Sequence, residues 1–302
     1  MTHSKFTRRQ FLQTSAALAG VAMVGPLVAS GQAVKKTAID QVTLGNTGIK
    51  LSRLGMGTGL DNGRILTGAG RDNFNKIIRH GYDQGITYFD TCDRYETSPW
   101  LAGAIKGMPR EKLYIQSKIS GQPVDLLAAI DAERKKINTD YFDSMLIHSQ
   151  INPGWINLDP WKKMMDNFLV AQEKKWIRAR GVSCHNLPAL QDANKTDWCQ
   201  VHLVRVNPQG KYVDGAGGRG YTASETNPIE PVLVEIKSMH EKGRGVIGMK
   251  IFGNGLFTDP AEREKSVKFA MSNPNIDAVV IGFKNTQEVD EGIAMINRAL
   301  AA

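Results

Sequence analysis

LYIQSKISGQPVDLLAAIDAERKKINTDYFDSMLIH, residues 113–148, contains one complete strand–helix–strand unit. The apolar runs at its two ends, Leu113–Ser117 and Ser144–His148, are typical of strands that are buried on both faces. Between them, apolar side chains recur every three or four positions over Asp125–Ile137, which predicts an amphipathic helix. A helix that connects two such strands predicts a parallel sheet.

The same alternation continues along the chain from residue 41 onward. The predicted strands are Leu54–Gly57, Tyr88–Asp90, Leu113–Ser117, Ser144–His148, Ala179–Ser183, His202–Val206, Val246–Lys250 and Ala278–Gly282. The predicted helices are Asp72–Gln84, Asp125–Ile137, Pro160–Trp176, Pro231–His240 and Glu288–Ala299. Eight strand–helix units in about 250 residues predict an α/β fold, a single (β/α)8 TIM barrel.

An open doubly wound sheet is the competing architecture. Such a sheet requires a glycine-rich phosphate turn between its first strand and its first helix. The sequence after the first predicted strand, Gly55–Gly59, lacks the G-x-G-x-x-G spacing, and no helix begins there. That spacing occurs only at Gly215–Gly220, past the sixth strand and without a helix directly behind it. We therefore expect a closed barrel, with residues 215–220 in a loop over its mouth.

Composition narrows the class of protein. The 302 residues are 41% hydrophobic and 23% charged, which is ordinary for a globular chain and excludes collagen, a coiled coil and a disordered acidic tail. The formal net charge is +8, but Lys and Arg form no dense run, so nucleic acid is not an expected partner. Three cysteines, Cys92, Cys184 and Cys199, are too few for a disulfide framework.

The first 33 residues have the organisation of an export signal. Arg8 and Arg9 stand just before Phe11, and an apolar run of 14 residues follows at 16–29. The adjacent arginines resemble a twin-arginine signal, which directs an already folded protein to the periplasm. We therefore expect residues 1–33 to be a leader recognised by the export machinery, and residues 34–302 to be the barrel domain.

The apolar run is shorter than the roughly 20 residues that a helix needs to span a bilayer, so no stable membrane span is expected. An amphipathic N-terminal helix with two chance arginines is the other interpretation of this segment. Small residues make cleavage after Gly31 or after Ala33 the expected processing sites.

Four ionisable residues fall where predicted strands end: Asp90 on the second strand, Tyr95 in the loop after it, Lys118 behind the third strand and His148 on the fourth. The carboxyl ends of barrel strands meet at one rim, so we expect these side chains to converge there. Each residue alone could be structural, as a helix cap, a packed ring, a solvated amine or a buried imidazole. Their coincidence on neighbouring strands indicates a site.

These side chains suit the protonation of a carbonyl oxygen. A free phenol has a pKa near 10 and is a weak acid at neutral pH, and a neighbouring cation lowers that pKa. Lys118 can supply the cation to Tyr95, and Asp90 can hold Lys118 charged. His148 can hydrogen-bond a substrate oxygen. The carbonyl carbon must then accept a hydride from a cofactor, because no side chain donates one.

The sequence at these positions resembles the aldo-keto reductase family. The motifs are Phe89–Tyr95, which resembles F-D-T-A-x-x-Y; Tyr114–Lys118 and Leu146–His148, which resemble the strands of the family's lysine and histidine; Ile177–Ser183, which resembles I-R-x-x-G-V-S; and Val42–Ser52, which resembles an N-terminal β-hairpin that closes the bottom of the barrel. The resemblance extends from Val42 to Ala299. It implies an oxidoreductase that reduces an aldehyde or ketone, or oxidises the alcohol.

By this resemblance, Tyr95 is the general acid/base, Lys118 tunes its pKa, Asp90 is the partner of the lysine and His148 orients the substrate. The resemblance also implies that NADPH or NADH binds across the barrel mouth. The residues implied to contact this cofactor are Gly57, Thr58, Ser183, Lys250, Gly282, Phe283 and Lys284.

Three positions depart from the family pattern. Cys184 stands in place of an asparagine, Leu203 in place of a glutamine and Glu288 in place of an arginine. An acid at position 288 would repel a 2′-phosphate and suit a ribose hydroxyl, whereas Lys284 could compensate. The resemblance favours NADP as the cofactor, but the opposite charges of Glu288 and Lys284 are also compatible with NAD.

Other interpretations of the barrel mouth stay open. Nicotinamide cofactors are scarce outside the cytoplasm, so an exported barrel could bind a carbonyl or sugar ligand without redox turnover. A metal could be held by Cys92, Cys184, His148 and His185, but their spacing fits no metal motif and no metal is predicted. Candidate pocket walls, each of which could instead pack in the core, are Trp100, Trp155, Tyr212 and Tyr221.

Overall fold

The computed structural model of the chain describes residues 35–216 and 225–302. The leader expected at residues 1–33 and the candidate wall Tyr221 therefore lie outside the described residues, as does part of the loop expected at 215–220. In the described residues, no helix is both long enough and apolar enough to cross a membrane.

Eight of the ten strands in the described residues form a closed barrel. The strands are β1 (Gln41–Thr43), β2 (Lys50–Ser52), β3 (Leu54–Gly57), β4 (Tyr88–Asp90), β5 (Tyr114–Ser120), β6 (Phe142–Gln150), β7 (Ile177–Cys184), β8 (Val201–Arg205), β9 (Gly245–Met249) and β10 (Ala278–Ile281). From β3 to β10, each strand pairs in parallel with the next, and β10 pairs with β3 to close the ring. The predicted (β/α)8 barrel is confirmed.

Nine α-helices lie in the described parts of the chain. They are α1 (Arg64–Gly68), α2 (Arg71–Asp83), α3 (Ser98–Ala104), α4 (Leu126–Ile137), α5 (Asp159–Glu173), α6 (Leu187–Lys195), α7 (Glu230–Glu241), α8 (Pro260–Ser272) and α9 (Thr286–Ala301). The sequence predicted five of them and missed α1, α3, α6 and α8. Three of the missed helices are short, and α8 buries only Ser266, Val267 and Ala270, so it shows little apolar periodicity.

The predicted N-terminal hairpin is also confirmed, since β1 and β2 pair antiparallel. Its turn places Leu44 below the barrel interior, where the side chain is fully buried. Gly45 approaches the start of β9 so closely that a Cβ atom would lie 2.4 Å from the nitrogen of Gly245. The hairpin therefore caps the end of the barrel where the strands begin, opposite the end where the predicted site residues stand.

Apolar side chains form two clusters, one inside the ring of strands and one between the strands and the helices. Residues that point inward, such as Tyr88, Tyr114 and Leu203, form one cluster inside the ring of strands. Residues that point outward, such as Val204, pack with the helices in a second and larger cluster. The inner cluster forms an apolar floor beneath the carboxyl ends of the strands, where polar interactions are stronger than in water.

Strands β5 and β6 end at least two residues later than the sequence predicted. β5 continues to Ser120 and β6 to Gln150, because the ladder between them runs on through the pair Ser120 and His148. Lys118 therefore lies within a strand rather than behind one. The polar residues that were predicted to end β5 and β6 belong to these strands and stand at the rim of the barrel.

Candidate active site

The structure brings the four predicted site residues to one cavity at the carboxyl end of the barrel. Asp90 is the last residue of β4, Lys118 belongs to β5, His148 belongs to β6, and Tyr95 lies in the loop between β4 and α3. All four line a cavity of about 450 Å³, which is within the range of ligand sites. The convergence expected from the sequence is therefore observed.

Lys118 is the best-enclosed member of this group, with 2% of its surface exposed. Its Nζ lies 2.8 Å from Oδ2 of Asp90 and 2.7 Å from the carbonyl oxygen of Thr91. It also lies 5.0 Å from the ring centre of Tyr95, so its positive charge acts on the phenol. An ammonium has three donors, and Asp90 and Thr91 accept from two of them.

Asp90 is held in turn by a chain of buried polar side chains. Gln116 Nε2 donates to Oδ1 of Asp90 at 2.8 Å and lies 2.9 Å from the hydroxyl of Tyr88. The hydroxyl of Ser144 donates to Oε1 of Gln116 at 2.9 Å, and Tyr114 donates to Ser144 at 2.7 Å. Both oxygens of Asp90 thus have partners, and the carboxylate remains aimed at Lys118.

The protonation states differ from the sequence-based expectation for Tyr95. Desolvation raises the pKa of Tyr95, and the positive charge of Lys118 opposes this shift without overcoming it. Desolvation also acts to lower the pKa of Lys118, but the negative charge of Asp90 outweighs it and the pKa is raised. The expectation that Lys118 brings the pKa of Tyr95 below its ordinary value is therefore wrong. Its phenol is neutral and its amine is charged.

Gly59 makes room for the ring of Tyr95. A Cβ atom on Gly59 would lie 2.1 Å from two ring carbons of Tyr95 and 2.6 Å from its hydroxyl oxygen. Real Cβ atoms do not approach other atoms so closely, so any side chain at position 59 must displace the ring. The glycine is part of what positions the phenol.

His148 is neutral in this site. Desolvation lowers the pKa of His148 well below its ordinary value, and the positive charges of Lys118 and Lys250 act in the same direction. Its Nδ1 lies 2.9 Å from the hydroxyl oxygen of Ser120 and 3.0 Å from the sulfur of Cys92. The ring meets that of Tyr95 edge to face, with centres 5.9 Å apart.

Six of the seven residues expected to contact a cofactor line the same cavity: Gly57, Ser183, Lys250, Gly282, Phe283 and Lys284. Thr58, the seventh, is outside the lining and only 1% exposed. Its hydroxyl donates to the carbonyl oxygen of Asp90 at 2.9 Å, so it links the ends of β3 and β4 instead of facing the cavity. Thr58 is therefore a supporting residue, and the expectation of direct contact is not met.

The three departures from the family pattern differ in position. Leu203 and Glu288 line the cavity. The carboxylate of Glu288 accepts a hydrogen bond from the backbone nitrogen of Lys284 at 2.8 Å, so these two residues act at one corner of the cavity. Cys184 is fully buried and does not line the cavity.

Lys250 is a half-buried cation at the mouth. Its Nζ donates to Oδ1 of Asn254 at 2.6 Å, and no carboxylate of residues 35–216 or 225–302 lies within ion-pair distance of it. Burial, reinforced by the positive charges of Arg205 and Lys118, lowers the pKa of Lys250 to about 8. A cation in this setting is stabilised by an anion that enters the cavity.

The structure adds a buried ion pair that the sequence analysis missed. Arg205 and Asp214 are 0% and 1% exposed, and Nε of Arg205 lies 2.7 Å from Oδ1 of Asp214. Burial raises the pKa of Asp214 to about 6, while Arg205 acts to lower it. Arg205 lines the cavity. The period of two along β8, in which Leu203 points inward, could have placed Arg205 there.

Two further expectations are corrected. Trp155 is fully buried and donates from Nε1 to the carbonyl oxygen of Ala189, and Trp100 packs edge to face on Phe74, so neither is a wall of the cavity. Tyr212 does line it.

The four residues considered as a metal site, Cys92, Cys184, His148 and His185, do not form one cluster, because Cys184 lies apart from the others. A different trio, Cys92, Asp93 and His148, has its ligand atoms within 4.8 Å of one another.

An ammonium held by a carboxylate beside a phenol, at the carboxyl end of a parallel barrel, is an acid–base site. The Aldo/keto reductase family model matches residues 53–299 of this chain. The chain therefore belongs to the aldo/keto reductase family.

Curated relatives agree with this assignment, and solved structures agree with the fold. The chain is 26% identical over 278 residues to the glyoxal reductase of Bacillus subtilis, which covers 86% of this chain and 93% of that one. It is 25% identical over 169 residues to the NAD/NADP-dependent indole-3-acetaldehyde reductase of Schizosaccharomyces pombe, covering 52% of this chain and 58% of that one. Other matched segments span as little as 36% of a relative. The barrel also resembles an aldo-keto reductase of Klebsiella pneumoniae solved with NADPH, at a TM-score of 0.63 and 17% identity over 89% of this chain and 90% of that one.

Proposed function

We propose that this protein is an NAD(P)-dependent oxidoreductase that reduces an aldehyde or ketone, or oxidises the corresponding alcohol. The observation that carries the proposal is the placement of Lys118, which is buried, paired with Asp90 and 5.0 Å from the ring centre of Tyr95. Burying an ammonium beneath a phenol costs desolvation free energy, and buried ionisable groups of this kind cluster at functional sites.

In the direction of reduction, the hydroxyl of Tyr95 gives its proton to the carbonyl oxygen of the substrate. The phenolate that remains is stabilised by the ammonium of Lys118, and Asp90 keeps that ammonium in place. A reduced nicotinamide, when bound, would supply the hydride for the carbonyl carbon. Because the pKa of Tyr95 is raised, the phenol starts protonated, as a proton donor must.

The residues present fit a nicotinamide dinucleotide. The cavity extends from Tyr95 and His148 to Lys284 and Glu288, so one elongated ligand can reach both ends. Lys250 provides a cation whose nearest hydrogen-bond partner is the neutral amide of Asn254, which suits an anionic phosphate. Ser183 would hold the nicotinamide end, and Lys250, Gly282 and Lys284 would hold the phosphates.

The relatives support a small carbonyl substrate, since two of them are named as reductases of glyoxal and of indole-3-acetaldehyde. The choice between NADP and NAD rests on the pair Lys284 and Glu288. We favour NADP, with the ammonium of Lys284 offsetting the carboxylate of Glu288. A Glu288→Gln variant is then expected to bind NADPH more tightly while its affinity for NADH stays within about twofold.

The test is a panel of aldehydes and ketones assayed with NADPH and with NADH. Tyr95→Phe is expected to lower kcat by at least about 100-fold, because it removes the proton donor. Tyr82→Phe, at a half-buried tyrosine of α2 outside the cavity lining, is the matched control and should keep full activity. Cofactor binding is followed separately by the fluorescence of the protein's five tryptophans.

Full activity in Tyr95→Phe would refute the assignment of the proton donor. The redox function is wrong if neither NADPH nor NADH changes the fluorescence, and if neither is found by crystallography or mass spectrometry in protein incubated with it. The alternative of a barrel that binds a carbonyl or sugar ligand without turnover would then hold, provided that such a ligand protects the protein against thermal unfolding.

We further propose that residues 1–33 are a twin-arginine leader and that the barrel acts in the periplasm. The sequence of Arg8, Arg9 and the apolar run at 16–29 carries this proposal. Such a route would let the barrel load its cofactor before export. Replacing both arginines by lysine should keep the protein in the cytoplasm, whereas Lys35→Arg together with Lys36→Arg, a change outside the signal, should not.

A mature N-terminus near residue 32 or 34 in the periplasmic fraction is the expected result. Met1 or Thr2 at that terminus would refute processing. Nucleotide in gently purified periplasmic protein would support loading before export, and its absence would argue against it.

A further inference from the structure

A hydrogen-bonded network centred on Asp93 lies behind His148. Oδ1 of Asp93 is 2.8 Å from the hydroxyl of Ser120 and 3.0 Å from the sulfur of Cys92. The backbone nitrogen of Ser120 also donates to this carboxylate, at 3.1 Å to Oδ2. The same hydroxyl and the same sulfur are the atoms that contact Nδ1 of His148. Ser120 and Cys92 therefore bridge an acid and an imidazole.

The number of hydrogens in this network fixes its direction. A carboxylate can only accept hydrogen bonds, and a hydroxyl or a thiol has one hydrogen to donate. Donation to the charged acceptor is the stronger bond, so Ser120 and Cys92 both donate toward Asp93. Each then has only a lone pair for His148, and the hydrogen in these contacts must come from Nδ1.

A second proton on the ring is disfavoured by its surroundings. Lys118, Lys250 and Arg94 place positive charge near His148, and the ring is largely desolvated. A neutral imidazole with its hydrogen on Nδ1 has an unprotonated Nε2. No described residue hydrogen-bonds Nε2, and the ring lines the cavity.

We propose that Asp93, acting through Ser120 and Cys92, holds His148 in the neutral tautomer with the hydrogen on Nδ1, so that Nε2 presents a hydrogen-bond acceptor to the cavity. Asp93 and Ser120 are positioning residues, since neither lines the cavity. Near Tyr95, the phenol is thus the donor to a substrate oxygen, and His148 is an acceptor.

A consequence for the substrate rests on the proposed function. An unprotonated Nε2 cannot donate a hydrogen bond to a carbonyl oxygen, but it accepts one from a hydroxyl. The rings of Tyr95 and His148 lie edge to face at 5.9 Å, so a small ligand can meet both. The site should therefore favour a carbonyl compound with a hydroxyl on the adjacent carbon over an otherwise similar compound without it.

The tautomer is tested by nitrogen-15 NMR of the imidazole, which needs no turnover. The nitrogen-15 signals of His148 are identified as those that disappear in a His148→Asn variant. In the wild type, Nδ1 should show the shift and proton coupling of a protonated nitrogen, and Nε2 should show those of an unprotonated one. The opposite pattern, or a doubly protonated ring at pH 7.5, would overturn the proposal.

Asp93→Asn tests the role of the acid. An amide at position 93 can donate to the hydroxyl of Ser120, which then donates to Nδ1 and moves the ring hydrogen to Nε2. Ser120→Ala, which removes one acceptor from Nδ1, should move part of the population the same way if Asp93→Asn fails to fold. Asp197→Asn, at a fully exposed carboxylate, should leave the tautomer unchanged. An unchanged tautomer in both test variants would overturn the proposal.

The substrate preference is tested with hydroxyacetone and 2-butanone, which have equal numbers of heavy atoms. The ratio of their kcat/KM values should fall by about tenfold from wild type to Asp93→Asn, since one hydrogen bond to the substrate is lost. The intrinsic reactivity of the two ketones cancels in this comparison. A constant ratio despite a changed tautomer would refute the substrate preference. Absence of turnover with any carbonyl would refute the proposed function and leave the NMR result to decide the tautomer.

Discussion

The ammonium of Lys118 lies against the ring of Tyr95, with the nitrogen 5.0 Å from the centre of the ring. The amine is bound by Asp90 and Thr91 on its other side, so it has no freedom to turn away. The pKa of the phenol is nevertheless raised, because desolvation exceeds the effect of the amine. Under the proposed function, the ammonium therefore stabilises the phenolate that forms once the phenol has given up its proton.

Replacing Lys118 by Met should lower kcat by at least about 100-fold, because the phenolate formed during reduction loses its cation. The affinity for NADPH, measured by tryptophan fluorescence, should change by no more than about threefold. Lys106→Met removes an exposed lysine and is the control. A variant that loses cofactor affinity while keeping kcat would show that Lys118 serves binding and not proton transfer.

The rate of reduction at saturating cofactor should be independent of pH between about 6.5 and 9. The pKa of His148 is lowered well below its ordinary value of about 6.5, and the pKa of Tyr95 is raised above its ordinary value of about 10, so neither group titrates in this window. The measurement is kcat against pH with one ketone. A fall in kcat centred near neutral pH would show that the phenol titrates there and that its pKa is lowered instead.

Gly59→Ala should reduce kcat by roughly 10- to 100-fold, because the new methyl group would displace the ring of Tyr95 from its place over Lys118. Gly103→Ala is the matched control, since nothing lies within 4 Å of a Cβ at that position on α3. Thermal unfolding should show both variants folded. Equal kcat for both would mean that the ring tolerates a shift without loss of function.

Cofactor affinity should weaken as pH rises above about 8. The ammonium of Lys250 has its pKa lowered to about 8 in the ligand-free protein, and a bound phosphate would raise that pKa. Binding then takes up a proton above pH 8, so the Kd for NADPH should increase by up to tenfold per pH unit until the pKa of the complex is reached. Lys250→Arg keeps its charge across this range and should give a Kd that varies little with pH. The same rise in Kd in this variant would assign the titration to another group.

Asp214→Ala should destabilise the fold by about 3–5 kcal/mol, because it leaves the guanidinium of Arg205 buried without its carboxylate. Asp197→Ala, which breaks an ion pair from an exposed carboxylate to Arg244, should cost at most about 1 kcal/mol. Urea unfolding of both variants measures the difference. Equal stabilities would show that Arg205 is satisfied by other groups.

The alternation of apolar runs and amphipathic stretches was enough to predict the barrel and the convergence of the four site residues, and the resemblance of Val42–Ser52 to the family predicted the hairpin cap. This worked because a parallel strand buried on both faces has few polar residues to confuse the pattern. The ends of β5 and β6 were misplaced, since polar residues continue the strand at the rim. Helix α8 escaped detection because small residues, not large apolar ones, form its buried face.

The remaining parts of the site depend on distances that sequence does not contain. The raised pKa of Tyr95 results from a balance between desolvation and the charge of Lys118, and only the packing around the ring determines which is larger. Thr58 is adjacent to Gly57 in sequence but faces away from the cavity. Asp93 looked like an ordinary residue between two motif positions, and its link to His148 passes through Ser120, which is 27 residues further along the chain.

The cysteines also bear on survival in an oxidising compartment. Cys92, Cys184 and Cys199 are all buried, and burial raises the pKa of each thiol, to about 12 for Cys92 and Cys199. Thiolate is the form that reacts with oxidants and disulfides, so the folded barrel should be nearly inert to both. An unfolded chain would offer three reactive sulfurs to its neighbours, so a protein of this kind should resist oxidative cross-linking only if its fold is complete before the oxidant is met.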